Sequence, residues 1–288
     1  VSAEARAGIP GGRLVAGPTA FGDDWGRFWR LATTLALTEF KMRFFGSLLG
    51  YVWQLMRPLM LFGVIYVVFV EVLGVGGDEP YFGAALLLGL VVFQFFSDAT
   101  SMSVQSLVVR ENLVRKIDFP RMAVPVSALI EALMNLGLNL LPVLLFLVIA
   151  GGSISAGWLA LPLILLLAIV FTAGCCMLLS ALYVRYRDVQ PIWDVVMQAL
   201  FYATPILYSL SIVIDKVGLG AARAMLVSPL ASAIQQARHA VISPEYDTPS
   251  QIFASDAALL LPVGLALATF AIGLLVFVRA APRVAEEL

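Results

Sequence analysis

Charge is scarce in this sequence. Asp, Glu, Lys and Arg make up 13% of its 288 residues, and 61% are apolar, where soluble domains carry about 25% charged residues. A water-soluble globular domain is thereby excluded and an integral membrane protein is expected. The net charge of −1 provides no basic surface, so no nucleic-acid partner is expected. Cysteine is limited to Cys175 and Cys176. Helix neighbours point in different directions, which disfavours a disulfide between them. The lone histidine is His239, and no Cys, His and carboxylate cluster has metal-ligand spacing. There is no G-x-x-x-x-G-K-[ST] loop to cradle a nucleotide and no G-x-S-x-G elbow. No cofactor is therefore expected in this chain. The first twenty residues contain no apolar h-region, so no cleavable signal peptide is expected.

What the sequence has in quantity is long apolar runs. Six are long enough to cross a bilayer, which takes about 20 helical residues. They lie near 49–73, 81–109, 122–150, 158–184, 191–214 and 255–280. The runs are continuous rather than alternating, which predicts helices and not strands. The expected fold is all-α and polytopic, with six transmembrane helices. With the N-terminus inside, the inner segments hold fifteen Lys and Arg residues, and the outer segments only Lys216, Arg223 and Arg238. Cytoplasmic loops carry the excess of positive charge, so both termini are expected in the cytoplasm. On this reading residues 1–48 are a cytoplasmic segment and 49–288 a six-span domain.

Two regions are not expected to span. Asp23 and Asp24 are a plausible N-cap pair, and Trp25, Phe28, Trp29, Ala32 and Leu35 follow at helical spacing. This predicts an amphipathic helix over 23–45 lying in the inner interface, anchored by Trp25, Phe28 and Trp29. A soluble lead-in helix is the plainer alternative. Residues 215–254 hold apolar pieces too short to cross, interrupted by Pro229, Pro244 and Pro249. They are expected to form short re-entrant helices buried against protein.

Polar residues inside spans are functional suspects. Gln94, Asp98, Ser101 and Gln105 form one stripe, and Glu131, Asn135 and Asn139 another. Interhelical hydrogen bonding is the structural alternative, and no basic residue is expected at membrane depth to complete a proton relay. Aromatics form a further pattern. Phe62, Tyr66 and Phe69 are expected on one face of the first span, and Phe201 and Tyr208 on one face of the fifth, with Trp193 and Tyr202 nearby. Such faces suit sugar rings, although core or lipid packing is the commoner role. His239, Glu245 and Asp247 are read as solvated surface.

Between the second and third runs lies a compact charged segment, Asn112-Leu-Val-Arg-Lys-Ile-Asp-Phe-Pro-Arg121, on the side where positive charge collects. Here the motifs become familiar. Ser47-Leu-Leu-Gly-Tyr-Val-Trp53, followed by Arg57-Pro58-Leu59, resembles the start of the first span in ABC-2 type polysaccharide-export permeases. The Asn112–Arg121 segment is similar to that family's cytoplasmic coupling segment. Tyr183-Val-Arg-Tyr-Arg-Asp-Val189 resembles its turn after the fourth span, and Thr204-Pro-Ile-Leu-Tyr208 its Pro-x-x-Tyr element. Val227-Ser-Pro-Leu230 stands where the family usually has Asn-Pro. The resemblance covers about residues 25–280.

The resemblance implies a permease subunit in a bacterial inner membrane, not an enzyme. It implies a homodimer with two copies of a separate ATPase, which would hold the ATP and Mg. Glu111, Asn112, Leu113, Val114, Arg115, Lys116, Asp118, Phe119, Arg121, Arg187 and Asp188 would contact that ATPase. Phe62, Tyr66, Phe69, Trp193, Phe201 and Tyr208 would line the path. The cargo implied is a polyprenyl-linked polysaccharide or a teichoic-acid-like polymer, and the Arg-rich composition suggests a cell-wall galactan. An ABC-2 exporter of drugs or small lipids is the alternative within transport. A membrane glycosyl- or acyltransferase is the alternative of another class. It would need convergent carboxylates, a histidine or a metal site, whereas the inner loops hold only scattered acids such as Glu111, Asp118 and Asp188.

Overall fold

A computed structural model describes residues 20–22, 24–44, 50–74, 79–115, 119–153 and 155–284. Helices account for most of it, with no strand among the described residues. Five segments are long and apolar enough to cross a membrane: Leu55–Val72, Phe82–Val109, Ala123–Ile149, Gly157–Arg185 and Ala257–Ala280. The chain is an all-α, multi-pass membrane protein.

The centre of the bundle is α3 (Phe82–Val109), buried along most of its length. It packs against α5 (Ala123–Ile149) and α6 (Gly157–Arg185). Phe96 of α3 stacks on Phe171 of α6, with centroids 5.5 Å apart. At the periphery α12 (Leu260–Ala280) lies along α6, and glycine sets how closely. A Cβ on Gly273 would stand 2.2 Å from the carbonyl oxygen of Gly174, and one on Gly174 would stand 2.6 Å from the backbone nitrogen of Phe270. Small residues let helix backbones touch where lipid offers no hydrophobic drive to association. The first span is α2 (Gly50–Tyr66) continued by a π-helical stretch over Val67–Val72.

The N-terminal helix α1 (Trp25–Phe44) starts where the Asp24 carboxylate accepts the Gly26 N–H at 2.8 Å. Asp23 lies outside the described residues. α1 packs against α5 through Phe28, Ala32 and Ala36, all buried and four residues apart. Of the three aromatic anchors expected to hold this helix in the interface, Phe28 alone is corrected. Phe28 faces protein, while Trp25 and Trp29 remain largely exposed.

The run over 191–214 is not one helix. α7 (Val189–Ala203) ends before Pro205. Proline disfavours helical backbone in the residue before it, and Thr204 is extended, with φ −84° and ψ 134°. A buried irregular stretch leads to α8 (Leu210–Lys216). The fifteen residues of α7 rise about 22 Å, short of a hydrocarbon core of about 30 Å. Beyond α8 come α9 (Leu219–Leu226), α10 (Pro229–Ala237), a π-helical turn over Arg238–Ile242, and α11 (Pro249–Phe253). α10 is buried on nearly every side and packs on α6 and α3.

Candidate functional site

The turns that follow α3 and α6 emerge at one end of the bundle. Gln105, in the last turns of α3, donates from its amide to the Gln190 amide oxygen at the start of α7. After α3 comes α4 (Glu111–Val114), a single turn capped by Arg115. Glu111 and Arg115 pair at 2.7 Å across that turn. Asn112 and Arg115 are exposed, whereas Val114 is fully buried and Phe119 nearly so. Leu113 is half-buried against the same core. These apolar side chains peg the turn to the bundle. Lys116 and Asp118 lie outside the described residues. Arg121 is a correction: it is buried, and its guanidinium donates to the Ala281 carbonyl just beyond α12. Arg121 therefore belongs to the joint between α5 and α12 and offers nothing to an outside partner. Across the turn after α6, Arg187 and Asp188 are exposed, and the Arg187 guanidinium lies 5.1 Å from the Tyr183 ring centroid.

Behind this face lies a charged seam. Arg43, in the last turn of α1, pairs at 2.9 Å with Glu131 of α5, which is 1% exposed. One turn earlier, Glu39 pairs at 2.9 Å with Arg110, the residue before α4. Asp98 accepts the Gln94 amide at 2.5 Å and lies within electrostatic reach of Arg57 and Arg43. Glu131 thus has a basic partner that comes from α1 and not from a neighbouring span. An arginine stem can run along apolar surface and deliver its head group elsewhere, so Arg43 reaches a carboxylate on a different helix. Asn135 and Asn139 continue the Glu131 stripe and are buried. α1 is consequently linked to both the α4 turn and the bundle interior.

The aromatic sets do not form two open faces. Phe62 is buried against Phe146 at 5.1 Å, and Tyr66 lies 6.3 Å from the same ring. Phe69 falls in the π-helical stretch, where an extra residue per turn rotates it away from strict α spacing. Phe201 packs on Phe93 at 5.3 Å. Because α7 ends at Ala203, Tyr208 does not share a helix face with Phe201. Its hydroxyl instead donates to the Tyr202 carbonyl at 2.9 Å. The Trp193 indole donates to the Thr100 hydroxyl at 3.1 Å. These residues fit the packing role given as the alternative.

The sequence reading missed Arg238, counting it only as an outer charge. Its guanidinium is fully buried and donates to three carbonyls: Ala85 of α3 at 3.1 Å, Pro205 at 2.8 Å and Ile206 at 2.8 Å. Burial lowers its pKa to about 10, so it remains a cation at neutral pH. Two signals pointed to it. Pro205 breaks a helix and leaves carbonyls without N–H partners. Gly89 of α3 leaves room for the guanidinium, since a Cβ there would stand 3.0 Å from Nη2.

Residues 30–242 match the family described as "ABC-2 type transporter". The chain is 27% identical over 192 residues to the O-antigen export system permease protein RfbA of Klebsiella pneumoniae, a match covering 66% of this chain and 73% of that protein. A protein of the same name from Myxococcus xanthus is 30% identical over 187 residues, covering 65% of this chain and 71% of the relative.

Proposed function

The chain belongs to the ABC-2 type transporter family, and from that premise we propose that it is the permease subunit of an exporter of lipid-linked polysaccharide. The names of its relatives from Klebsiella pneumoniae and Myxococcus xanthus, both O-antigen export permeases, support a polysaccharide cargo. A cell-wall galactan carried on a polyprenyl lipid is the finer form of this reading. Two copies of the chain enclose the path, and two copies of a separate ATPase bind ATP and Mg below them. The protein sits in a bacterial inner membrane with both termini in the cytoplasm. Residues 1–48 form the cytoplasmic segment and 49–288 the transmembrane domain. The broken α7 and the stretch after it make the sixth crossing.

The observation that carries the reading is that two exposed polar turns, one after α3 and one after α6, stand at the same end of the bundle. Asn112 and Arg115 stand on one, Arg187 and Asp188 on the other, and both rest on buried apolar pegs. A partner that pushes on this surface moves α3 and α6 directly, and α1 through Glu39–Arg110. Charge reversal of Arg115 and Arg187 to Glu, with the ATPase co-expressed, tests this. The expected result is ATP hydrolysis that continues while export per folded molecule falls at least tenfold, equal to about 1.4 kcal/mol, and polymer accumulates inside the cell. Export at the parental rate would remove the coupling face. Normal glycan export in cells lacking the chain, with loss of a small lipid or drug from the medium, would replace the polysaccharide by that cargo.

A further inference from the structure

Two opposite charges at membrane depth stand outside the salt bridges of the protomer. Arg57 lies on the second turn of α2 and Asp194 on the second turn of α7. Both are exposed, and among the described residues neither enters an ion pair. Residues 45–49, which precede α2 and lie outside the described residues, hold no acid. Each charge is set among exposed apolar neighbours: Arg57 between Trp53 and Leu61, Asp194 beside Pro191 and Val195. Charges in a span turn to protein or to water rather than to hydrocarbon. An arginine stem can carry its head group toward the interface. The Asp194 carboxylate stands one methylene from the backbone and has no such reach.

The central helix α3 sets the two charges at one level. The Trp193 indole donates to Thr100 of α3 at 3.1 Å, and Asp194 is the next residue of α7. Arg57 lies within electrostatic reach of Asp98 of α3, about half a turn from Thr100. That level is roughly 14 Å along α3 from its α4 end. The two helices also point the same way. On α2, Arg57 is near Asp98 and the Tyr66 ring near Gly83. On α7, Gln190 meets Gln105 and Phe201 packs on Phe93. Both therefore run opposite to α3. Yet α2 packs on α3 and α5, and α7 on α3 and α6, so the charges occupy different flanks of one protomer. A two-fold axis along the bundle keeps level and direction, and it can bring one flank of a copy against the other flank of the next.

We propose that Arg57 of each copy pairs with Asp194 of the other across a two-fold interface, with α2 of one copy lying along α7 of its partner. The pairing rests on the reading that two copies assemble, and adds to it the faces and the register. A two-fold contact is isologous, so a single placement forms the pair twice and all four charges leave the lipid. A charge pair taken out of water needs further hydrogen bonds. The exposed Gln198 amide, one turn beyond Asp194, offers an acceptor to the remaining guanidinium donors.

The experiment uses the full chain in lipid vesicles, labelled for energy transfer between copies, with the dimer fraction followed as the chain is diluted in lipid. Arg57→Asp and Asp194→Arg each set like charges face to face. Each is expected to raise the chain-to-lipid ratio at half-dimerisation by at least about tenfold. The two substitutions together exchange the charges and should return that ratio to within about threefold of the parent. Parental dimerisation in either single variant, or no recovery in the double variant, overturns the pair. A disulfide that leaves both charges in place covers the case of single variants that do not fold. Two differently tagged chains are co-expressed, one with Leu61→Cys and one with Gln198→Cys, each a turn beyond its charge. Cys175 and Cys176 are buried and do not compete. Oxidation should give dimers that carry both tags. A dimeric parent without this cross-link overturns the proposed faces and leaves the two-copy reading standing. A parent that is monomeric at every dilution overturns that reading, and the pair with it.

Discussion

Arg43 and Arg238 put the same guanidinium to different use. Arg43 neutralises a carboxylate: its partner Glu131 is buried in α5, and the pair stands at 2.9 Å. Breaking a buried pair from one side costs about 3–5 kcal/mol, because an uncompensated charge is left behind. Arg43 is partly exposed, which places Arg43→Met near the lower end, about 3 kcal/mol. Arg43→Met combined with Glu131→Gln should recover most of that loss. Thermal melts of the purified protein would check it, and an additive double mutant would show that the two residues are not coupled. Arg238 instead gathers carbonyls. Arg238→Met leaves the oxygens of Ala85, Pro205 and Ile206 without this donor. An unsatisfied buried acceptor costs roughly 1–3 kcal/mol, so a sharp fall in folded yield is expected. Arg238→Lys should rescue it only in part, since an ammonium cannot span three divergent carbonyls with a planar fork. A melting temperature equal to the parent's in either variant would mean that the carbonyls find other donors.

At the scale of elements, the contact of α6 with α12 depends on two residues without side chains. Gly174 and Gly273 meet backbone to backbone, so Gly273→Ala must push the helices apart or tilt them. Overpacking of this kind costs about 1–3 kcal/mol. Gly63 of α2 and Gly264 of α12 have nothing within 4 Å of a built Cβ, and alanine is the better helix former by about 1 kcal/mol. Gly63→Ala and Gly264→Ala should therefore be neutral or stabilising, and Gly273→Ala destabilising. Melting temperatures that rank the three variants otherwise would refute the close crossing. The same element-scale reasoning explains α1. Its buried stripe is Phe28, Ala32 and Ala36, two of them small enough for α5 to come near, which is what brings Arg43 within reach of Glu131.

At the scale of the whole molecule, α2 and α7 leave most of their apolar surface uncovered. Val64 is 65% exposed and Val195 66%, and on a membrane protein such surface faces lipid or another copy of the chain. The shared-path reading expects the second. Cysteines at Val64 or Val195 should cross-link to dimers in membranes, whereas one at Leu163 of α6, also strongly exposed, should not. Phe62 and Tyr66 are unsuitable probes because they pack on Phe146 inside the protomer. Dimers from the Leu163 cysteine, with monomers from the other two, would move the two-fold interface to the α6 side.

Much of the architecture was legible in the chain, and the reason is that hydropathy and helical period are local. The runs near 81–109, 122–150 and 158–184 needed only their own residues to declare helices, and the structure places α3, α5 and α6 within a residue or two of them. The exposed polar turn at Glu111–Arg115 was local in the same way, as a charged break between apolar runs. The helix end at Thr204 was also within reach, since Pro205 acts on the residue beside it. The continuous hydropathy of 191–214 concealed it. What no local pattern contained were the pairings between distant positions. Arg43 with Glu131, Arg238 with the carbonyls at 85, 205 and 206, Arg121 with Ala281, and Gly174 with Gly273 join residues far apart in the chain. Sequence by itself determined that this chain enters a membrane as helices. Tertiary packing alone decided which charges meet and which faces stay open, because those depend on the distance between helices rather than on the residues within one.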